Sequence, residues 1–510
     1  MHTFQLRKPI LAAMGACAAM GFSPGIVLAD NAQDIQQLKD QVRVMQQKID
    51  DLSNSQQAPA KAAKAAAPSD SLTFAGITIY GTVDIGVEYV SHGAPLSQLW
   101  SPGLPSFIQN FSNHSITSVN GNGLSQSKVG ISGVESLHFG DLTGVFRLET
   151  GFNPWSGRLV DGPGSLALDN GKAAAVKISA GDSSRAGQIL NGVAFAGISS
   201  KTYGTLTFGR QNGLMLDLLT KYDPQLQAQA FSPIALSGTS GGLGDTQSNR
   251  LDNALKYVLQ VGPGRFGYIH GFGSDGYVPQ SSNEFTLGMD LGGFSMDVLY
   301  GVVHGEVAAA SLSAANITAL NAATPLPAWS MSNTLAATIS DNTGYSVQMS
   351  YNLKEFFPIK FYAGWERIKY NNPSHTIPGG SIDIGGYQLG AANATNPDIG
   401  NIVNNAAFNI QKIFQISWIG ARWSITPDFD LTAAGYGYNQ KSFAANGCRN
   451  ASATSCAGEL ADISLVADWH FTKRFDTYAG VNWSRVQNGL ASGFLFTSEY
   501  SPMVGVRFNF

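Results

Sequence analysis

The chain has 510 residues, 58 of them glycine, with 13% charged residues, a formal net charge of −4 and a mean hydropathy of −0.02. The mildly acidic balance gives no footing to a nucleic-acid partner. Beyond the N-terminus no apolar run is long enough to cross a membrane as a helix.

Residues 1–29 read as a secretory signal peptide: Arg7 and Lys8 come first, an apolar stretch follows over 10–21, and Val27-Leu28-Ala29 offers a cleavage site before Asp30. Met14-Gly15-Ala16 makes a poor lipobox, so Cys17 is expected to leave with the leader. Over residues 30–55, Ile35, Leu38, Val42, Met45, Ile49 and Leu52 recur at alternating spacings of three and four, the seam of a short coiled-coil helix. Under three heptads are marginal alone, so this seam needs chains already held together, as in an oligomeric barrel; a single helix lying on a partner is the alternative. Residues 56–72, with Pro59, Lys61, Lys64 and Pro68 among alanines, form a linker. The helix is placed in the periplasm, because the first strand follows it directly.

From residue 73 to Phe510 the period is two almost everywhere. Ile77, Ile79, Val83, Ile85 and Val87 share one strand face while Thr78, Tyr80, Thr82, Asp84 and Glu88 share the other. Phe285, Leu287, Met289 and Leu291 oppose Glu284, Thr286 and Asp290; Tyr345, Val347, Met349 and Tyr351 oppose Ser346, Gln348 and Ser350. Val504, Val506, Phe508 and Phe510 oppose Arg507 and Asn509. Near Gly420 the alternation slips phase, which predicts a bulge or a strand end.

Alternation alone also fits a soluble sandwich; the connections decide. Tight reversals such as Gly262-Pro263-Gly264, Leu291-Gly292-Gly293 and Thr426-Pro427-Asp428 alternate with long Gly-, Ser-, Asn- and Ala-rich segments, roughly 96–124, 153–190, 211–251, 303–342 and 371–411. Short turns on one rim and long loops on the other predict an all-β fold, an antiparallel transmembrane barrel of about sixteen strands in an outer membrane, and hence a channel. One such barrel with its loops absorbs the whole length as a single domain over 73–510.

Cys448 and Cys456, an even pair in an oxidising compartment, are expected to form a disulfide restraining their loop. The histidines of the mature chain are scattered, no serine-centred nucleophile or paired-histidine motif is present, and the glycines of 238–244 lack a following Lys-Ser or Lys-Thr. Neither an enzyme nor a cofactor is expected.

The strings ITIYGTVDIGVEYV, SKVGISGVESL, LTGVFRLETGFN, YGTLTFGRQ, NALKYV and the closing VGVRFNF, in this order, resemble the general trimeric porins of Gram-negative outer membranes, in a subgroup carrying an N-terminal coiled coil. The resemblance implies a sixteen-stranded barrel, three per assembly, with the loop over 211–251 folded inward. It implies that the loop acids Asp217, Asp223 and Asp245 face a basic wall of Lys128, Arg210 and Lys256, to which the period-two pattern adds Arg147. It also makes Phe510 the terminal aromatic read by the insertion machinery.

The expected function is passive diffusion of small hydrophilic solutes and ions through a water-filled channel, with a substrate-selective channel for dicarboxylates, aromatic acids or sugars, or a barrel adhesin, as alternatives. Expected partners are outer-membrane lipid, two further copies of the chain, the solutes, and another envelope component reached through the N-terminal helix.

Overall fold

The computed structural model describes residues 72–91, 115–160, 188–235, 250–272, 281–310, 336–353, 357–372, 374, 381–384, 387–390, 402–404, 410–447, 456–491 and 497–510. The signal peptide, the coiled-coil seam from Ile35 to Leu52, Asp245 and Cys448 lie outside them. Cys456 is buried and disulfide-bonded.

Sixteen antiparallel strands close into one barrel. The first eight are β1 (Ile77–Val90), β2 (Ile116–Gly121 continued by Lys128–Ser136), β3 (Thr143–Asn153), β4 (Ala194–Ser200), β5 (Gly204–Asn212), β6 (Arg250–Val261), β7 (Gly264–Gly271) and β8 (Ser281–Leu291). The rest are β9 (Phe294–Ala310), β10 (Ala336–Asn352), β11 (Ile359–Asn371), β12 (Lys412–Thr426), β13 (Phe429–Gln440), β14 (Gly458–His470), β15 (Phe475–Asn488) and β16 (Ser498–Asn509). Each pairs with its neighbours in sequence, and β16 returns to β1 with Asp84 opposite Arg507 and Ile85 opposite Val506. Past the ladder, Gly81 and Phe510 exchange both backbone hydrogen bonds, 2.9 and 3.0 Å.

The barrel is polar within and apolar without. Glu88, Glu284, Gln348 and Glu366 are fully buried, whereas Leu287, Ile419, Ile463 and Val504 are about 60% exposed. A soluble protein would reverse this, because exposed apolar faces are stable only against lipid. Aromatic side chains mark both edges of the apolar band: Tyr351, Phe361, Trp423, Trp469 and Phe508 lie toward the short turns, and Tyr300, Trp365, Trp483 and Tyr500 toward the long loops.

The slip expected at Gly420 is not there. Phe414, Ile416 and Trp418 face inward in unbroken alternation, with Ile419 and Trp423 outward, and the register shifts only between Ser424 and Thr426. Inward apolar residues are covered here: Trp418 meets a piece of chain inside the lumen, and Phe414 packs edge-on against Tyr370 of β11.

That piece begins after β5. Residues 213–235 turn into the barrel, starting with a helix, α1 (Leu214–Tyr222). The helix buries Leu214, Met215, Leu218, Leu219 and Tyr222, and the following turns bury Phe231 and Ile234 completely. Wall glycines make room for it: a Cβ at Gly420 would lie 2.5 Å from Pro224, and one at Gly480 would lie 2.7 Å from the Phe231 ring. An apolar core, with Phe231 packed on Leu124, Val466, Tyr478 and Met503, therefore sits inside the barrel between this loop and the wall.

Candidate functional site: the constricted lumen

The loop follows the inner wall as a belt. Glu284 on β8 accepts the amides of Leu214 and Met215 at 2.6 and 3.2 Å, capping the helix N-terminus with a carboxylate. The Tyr222 hydroxyl meets Ser295 at 2.8 Å on β9, and its carbonyl accepts from Trp418 Nε1 at 3.1 Å on β12. Asp223 accepts from the Tyr436 hydroxyl at 2.6 Å and from the amides of Gln225 and Gln227. Gln225 donates to Ser464 at 2.9 Å, and the Ala230 amide reaches the carbonyl of Gly123 at 3.1 Å, where β2 is interrupted. Burial pushes the Asp223 carboxyl above the ordinary range, while the hydrogen bond from Tyr436 pulls it back down.

The β2 interruption is itself built on a carboxylate. Asp84 on β1 accepts the amides of Gly123, Leu124 and Ser125 at 3.2, 2.8 and 2.9 Å, and the Tyr478 hydroxyl at 2.6 Å. Asn122 takes a left-handed φ of +65° to enter this turn.

Against the belt stands a wall that carries charge. Arg147 and Lys128, on adjacent strands, converge on Glu149 at 2.7 and 3.4 Å, and Arg147 Nε donates to the Tyr80 hydroxyl at 2.6 Å. Two cations on one carboxylate leave net positive charge. The bases reach out and the acid is recessed: side-chain exposures are 32% for Lys128 and 37% for Arg147, against 4% for Glu149.

Toward the short-turn rim a second charged girdle follows. Arg265 pairs with Asp290 and, at 2.7 Å, with Asp297, which Lys221 of the belt also approaches at 3.4 Å. Arg422 lies 2.6 Å from Asp430, His470 bridges Asp430 and Asp476 at 3.1 and 2.9 Å, and Arg507 lies 2.6 Å from Asp476. Asp468, His470 and Asp476 bring ligand atoms within 4.8 Å of one another, but Arg507 pairs with both carboxylates, which makes the group an ion-pair network.

Six of the seven residues singled out for the constriction are described, Asp245 lying outside, and they fall into three places. Lys128 and Arg147 share one cluster open to the lumen. Arg210 and Lys256 are only 6% and 8% exposed. Arg210 binds the carbonyls of Asn191 and Gly192 and, at 2.7 Å, Asp252. Lys256 pairs with Asp217 and donates to the Asn212 carbonyl at 2.9 Å. These two bases brace the ends of loops. Asp217 is thus tied to the wall, and Asp223 is fully buried between belt and wall, facing no open passage. Glu149 and Glu284 complete the site; their signal was their position on the polar faces of β3 and β8.

A closed barrel, inverted in polarity and narrowed by an inner loop, is the architecture of a diffusion channel. A family model for Gram-negative porins matches residues 58–489. The chain belongs to the Gram-negative porin family.

The porin is similar in structure to the anion-selective porin from Comamonas acidovorans, at 15% identity and a TM-score of 0.52, over 85% of this chain and 99% of that one. It is also similar to OmpT of Vibrio cholerae: an L8 loop deletion mutant aligns at 11% identity and a TM-score of 0.51, over 85% and 99% of the two chains, and the outer-membrane-expressed protein at 11% and 0.50, over 86% and 100%. No curated protein matches the chain. The porin is an outer-membrane channel for passive diffusion.

Proposed function

We propose that this porin passes small hydrophilic solutes with a preference for anions, through a lumen lined chiefly by the basic members of its ion pairs. The observation that carries the reading is the recession of the acids. Lys221 is 25% exposed against 4% for Asp297, Arg422 25% against 11% for Asp430, and Arg507 21% against 6% for Asp476, the same order as in the Lys128, Arg147 and Glu149 cluster; the order reverses where Arg265 meets Asp290 and where Lys256 and Arg210 brace the loop ends against Asp217 and Asp252. Of the belt's described acids, Asp223 is fully buried and Asp217, 19% exposed, is paired with Lys256. At the Lys128, Arg147 and Glu149 cluster and along the short-turn girdle at Lys221, Arg422 and Arg507, a solute therefore meets ammonium and guanidinium groups ahead of their partner carboxylates.

A sugar-selective channel would present aromatic faces to the solute. Tyr362, Trp418, Tyr436 and Tyr478 point inward but are 1–4% exposed, covered by the belt and its neighbours, so the geometry favours ions and small polar solutes. Fold and family point to a channel rather than an enzyme, and no covalent step or cofactor enters this reading. Assembly as a homotrimer, with residues 30–55 reinforcing it from the periplasm or reaching another envelope component, belongs to the same proposal, as do the Cys448 to Cys456 bridge and the role of Phe510 in insertion.

Planar-bilayer recording of the purified channel tests it. Stable conductance steps are expected, with a reversal potential in a salt gradient that reports excess anion permeability. A cation-selective reversal potential would overturn the preference, and absence of conductance the diffusion role in this protein.

A further inference from the structure

On the outer face of the barrel the apolar pattern breaks across β11 to β15. Toward the long-loop rim, Gln415, Asn439, Glu459 and Gln487 stand opposite one another across β12 to β15, with Arg367 of β11 at the end of the row. The row beneath reads Trp365, Ser417, Gly437, Ala461 and Arg485. Only the next, Ile419, Gly435, Ile463 and Trp483, is free of polar side chains. The small residues Ser417, Gly437 and Ala461 make the floor of an outward-facing groove of about 540 Å³, with Trp365 on one flank and Trp483 and Arg485 on the other. Above it, sharing Asn439 and Glu459, lies a second hollow of about 720 Å³ that reaches Lys441, Asn446 and Asn488.

We propose that this groove seats the phosphorylated sugar headgroup of an outer-leaflet glycolipid, with Arg485 as the anchor for the phosphate. Depth places it there. From Phe429 at the short-turn rim to Asn439, the strand runs roughly 33 Å at ~3.3 Å per residue. Tilted by about 40°, that is a rise of about 25 Å, the height of the apolar band itself. The polar row therefore lies at the boundary between acyl chains and headgroups of the leaflet on the long-loop side, where indole rings such as Trp365 and Trp483 are at home.

Charge and hydrogen-bonding chemistry select the occupant. Arg485 is exposed, and among the described residues it pairs with no carboxylate; its guanidinium donates only to the Gln487 side-chain oxygen, at 3.0 and 3.1 Å in the amide orientation that satisfies both groups. Its remaining donors suit a phosphate, which guanidinium binds in bidentate fashion. Glu459 in the row above is held only by Asn439, at 3.5 Å. A carboxylate among amides repels a second phosphate but accepts from hydroxyls, and this favours a sugar over the glycerol of an ordinary phospholipid.

Native mass spectrometry of the intact oligomer tests this, with three probes: a monophosphorylated acylated disaccharide lipid, its dephosphorylated analogue, and phosphatidylglycerol. The phosphorylated disaccharide lipid should be retained at least about tenfold over both others. Arg485→Gln should remove most of that preference. Gly437→Leu should do the same by filling the floor, since a Cβ there already comes within 3.3 Å of Ser417 Oγ. Single-channel conductance should stay unchanged in both variants, which also shows that they are folded. Retention unaffected by both substitutions, or equal retention of phosphatidylglycerol, overturns the proposal. So does loss of the oligomer in place of lost lipid, which would make this face a contact between copies of the chain.

Discussion

Glu284 accepts the Leu214 amide at 2.6 Å, so a carboxylate fixed in the barrel wall caps the first turn of the helix that narrows the lumen. The constriction is thereby positioned from strand β8: the helix start and the wall are one hydrogen-bonded unit.

Glu284→Ala should release that start. Removing a buried acceptor from two amide donors costs about 1–3 kcal/mol of loop docking, and the barrel ladders are untouched. Single-channel records should show unchanged barrel assembly, increased current noise and a higher mean conductance. A quiet trace of normal amplitude would show that the apolar packing of Leu219 and Phe231 holds the helix unaided.

Lys128→Gln combined with Arg147→Gln should shift ion preference toward cations, because Glu149 would be left without its two neutralising partners. Reversal potentials in a salt gradient measure it. Lys256→Gln, at a base braced against Asp217 and the Asn212 carbonyl, should change selectivity far less.

Asp223 gives the belt a pH dependence. Its carboxyl is pushed up by burial, so the docked loop holds the proton more tightly than the free loop does. The resulting stabilisation of docking is fully present below the ordinary carboxyl range, at about pH 4, and is lost as pH rises through the raised value. Current noise from loop motion should therefore fall on acidification, and Asp223→Asn should abolish that dependence. Noise that grows steadily toward acid would contradict the sign.

Gly81 faces the last residue of the chain. A Cβ there would fall on the Phe510 ring and 2.8 Å from the Lys128 carbonyl. Gly81→Val should impair closure between the first and last strands, lowering the temperature at which the folded band is lost in heat-modifiability gels, and deletion of Phe510 should act in the same direction by removing two backbone hydrogen bonds.

Much of this was legible without coordinates. The period of two, the alternation of short and long connections and the closing run to Phe510 specify a membrane barrel, because lipid leaves unpaired backbone groups no other refuge than a closed sheet. Of the residues that make the inner cluster, Arg147 could be placed on an inward face from parity, and Lys128 from the porin resemblance. The apparent slip near Gly420 misled for a physical reason: Phe414, Ile416 and Trp418 look outward by composition, but inside the barrel Trp418 meets the belt at Tyr222 and Phe414 packs on Tyr370.

Sequence by itself determined which side chains alternate, where the chain turns, and that the wall is wet on one side and greasy on the other, since these follow from local periodicity and the bilayer as solvent. Only the tertiary structure decided which charges meet water. Asp217 and Asp223 read alike as loop acids facing a basic wall, yet the structure pairs the part-exposed Asp217 with Lys256 and buries Asp223 completely against Tyr436, both remote in sequence. Pairing and burial are set by neighbours across the barrel, and no local pattern carries that information.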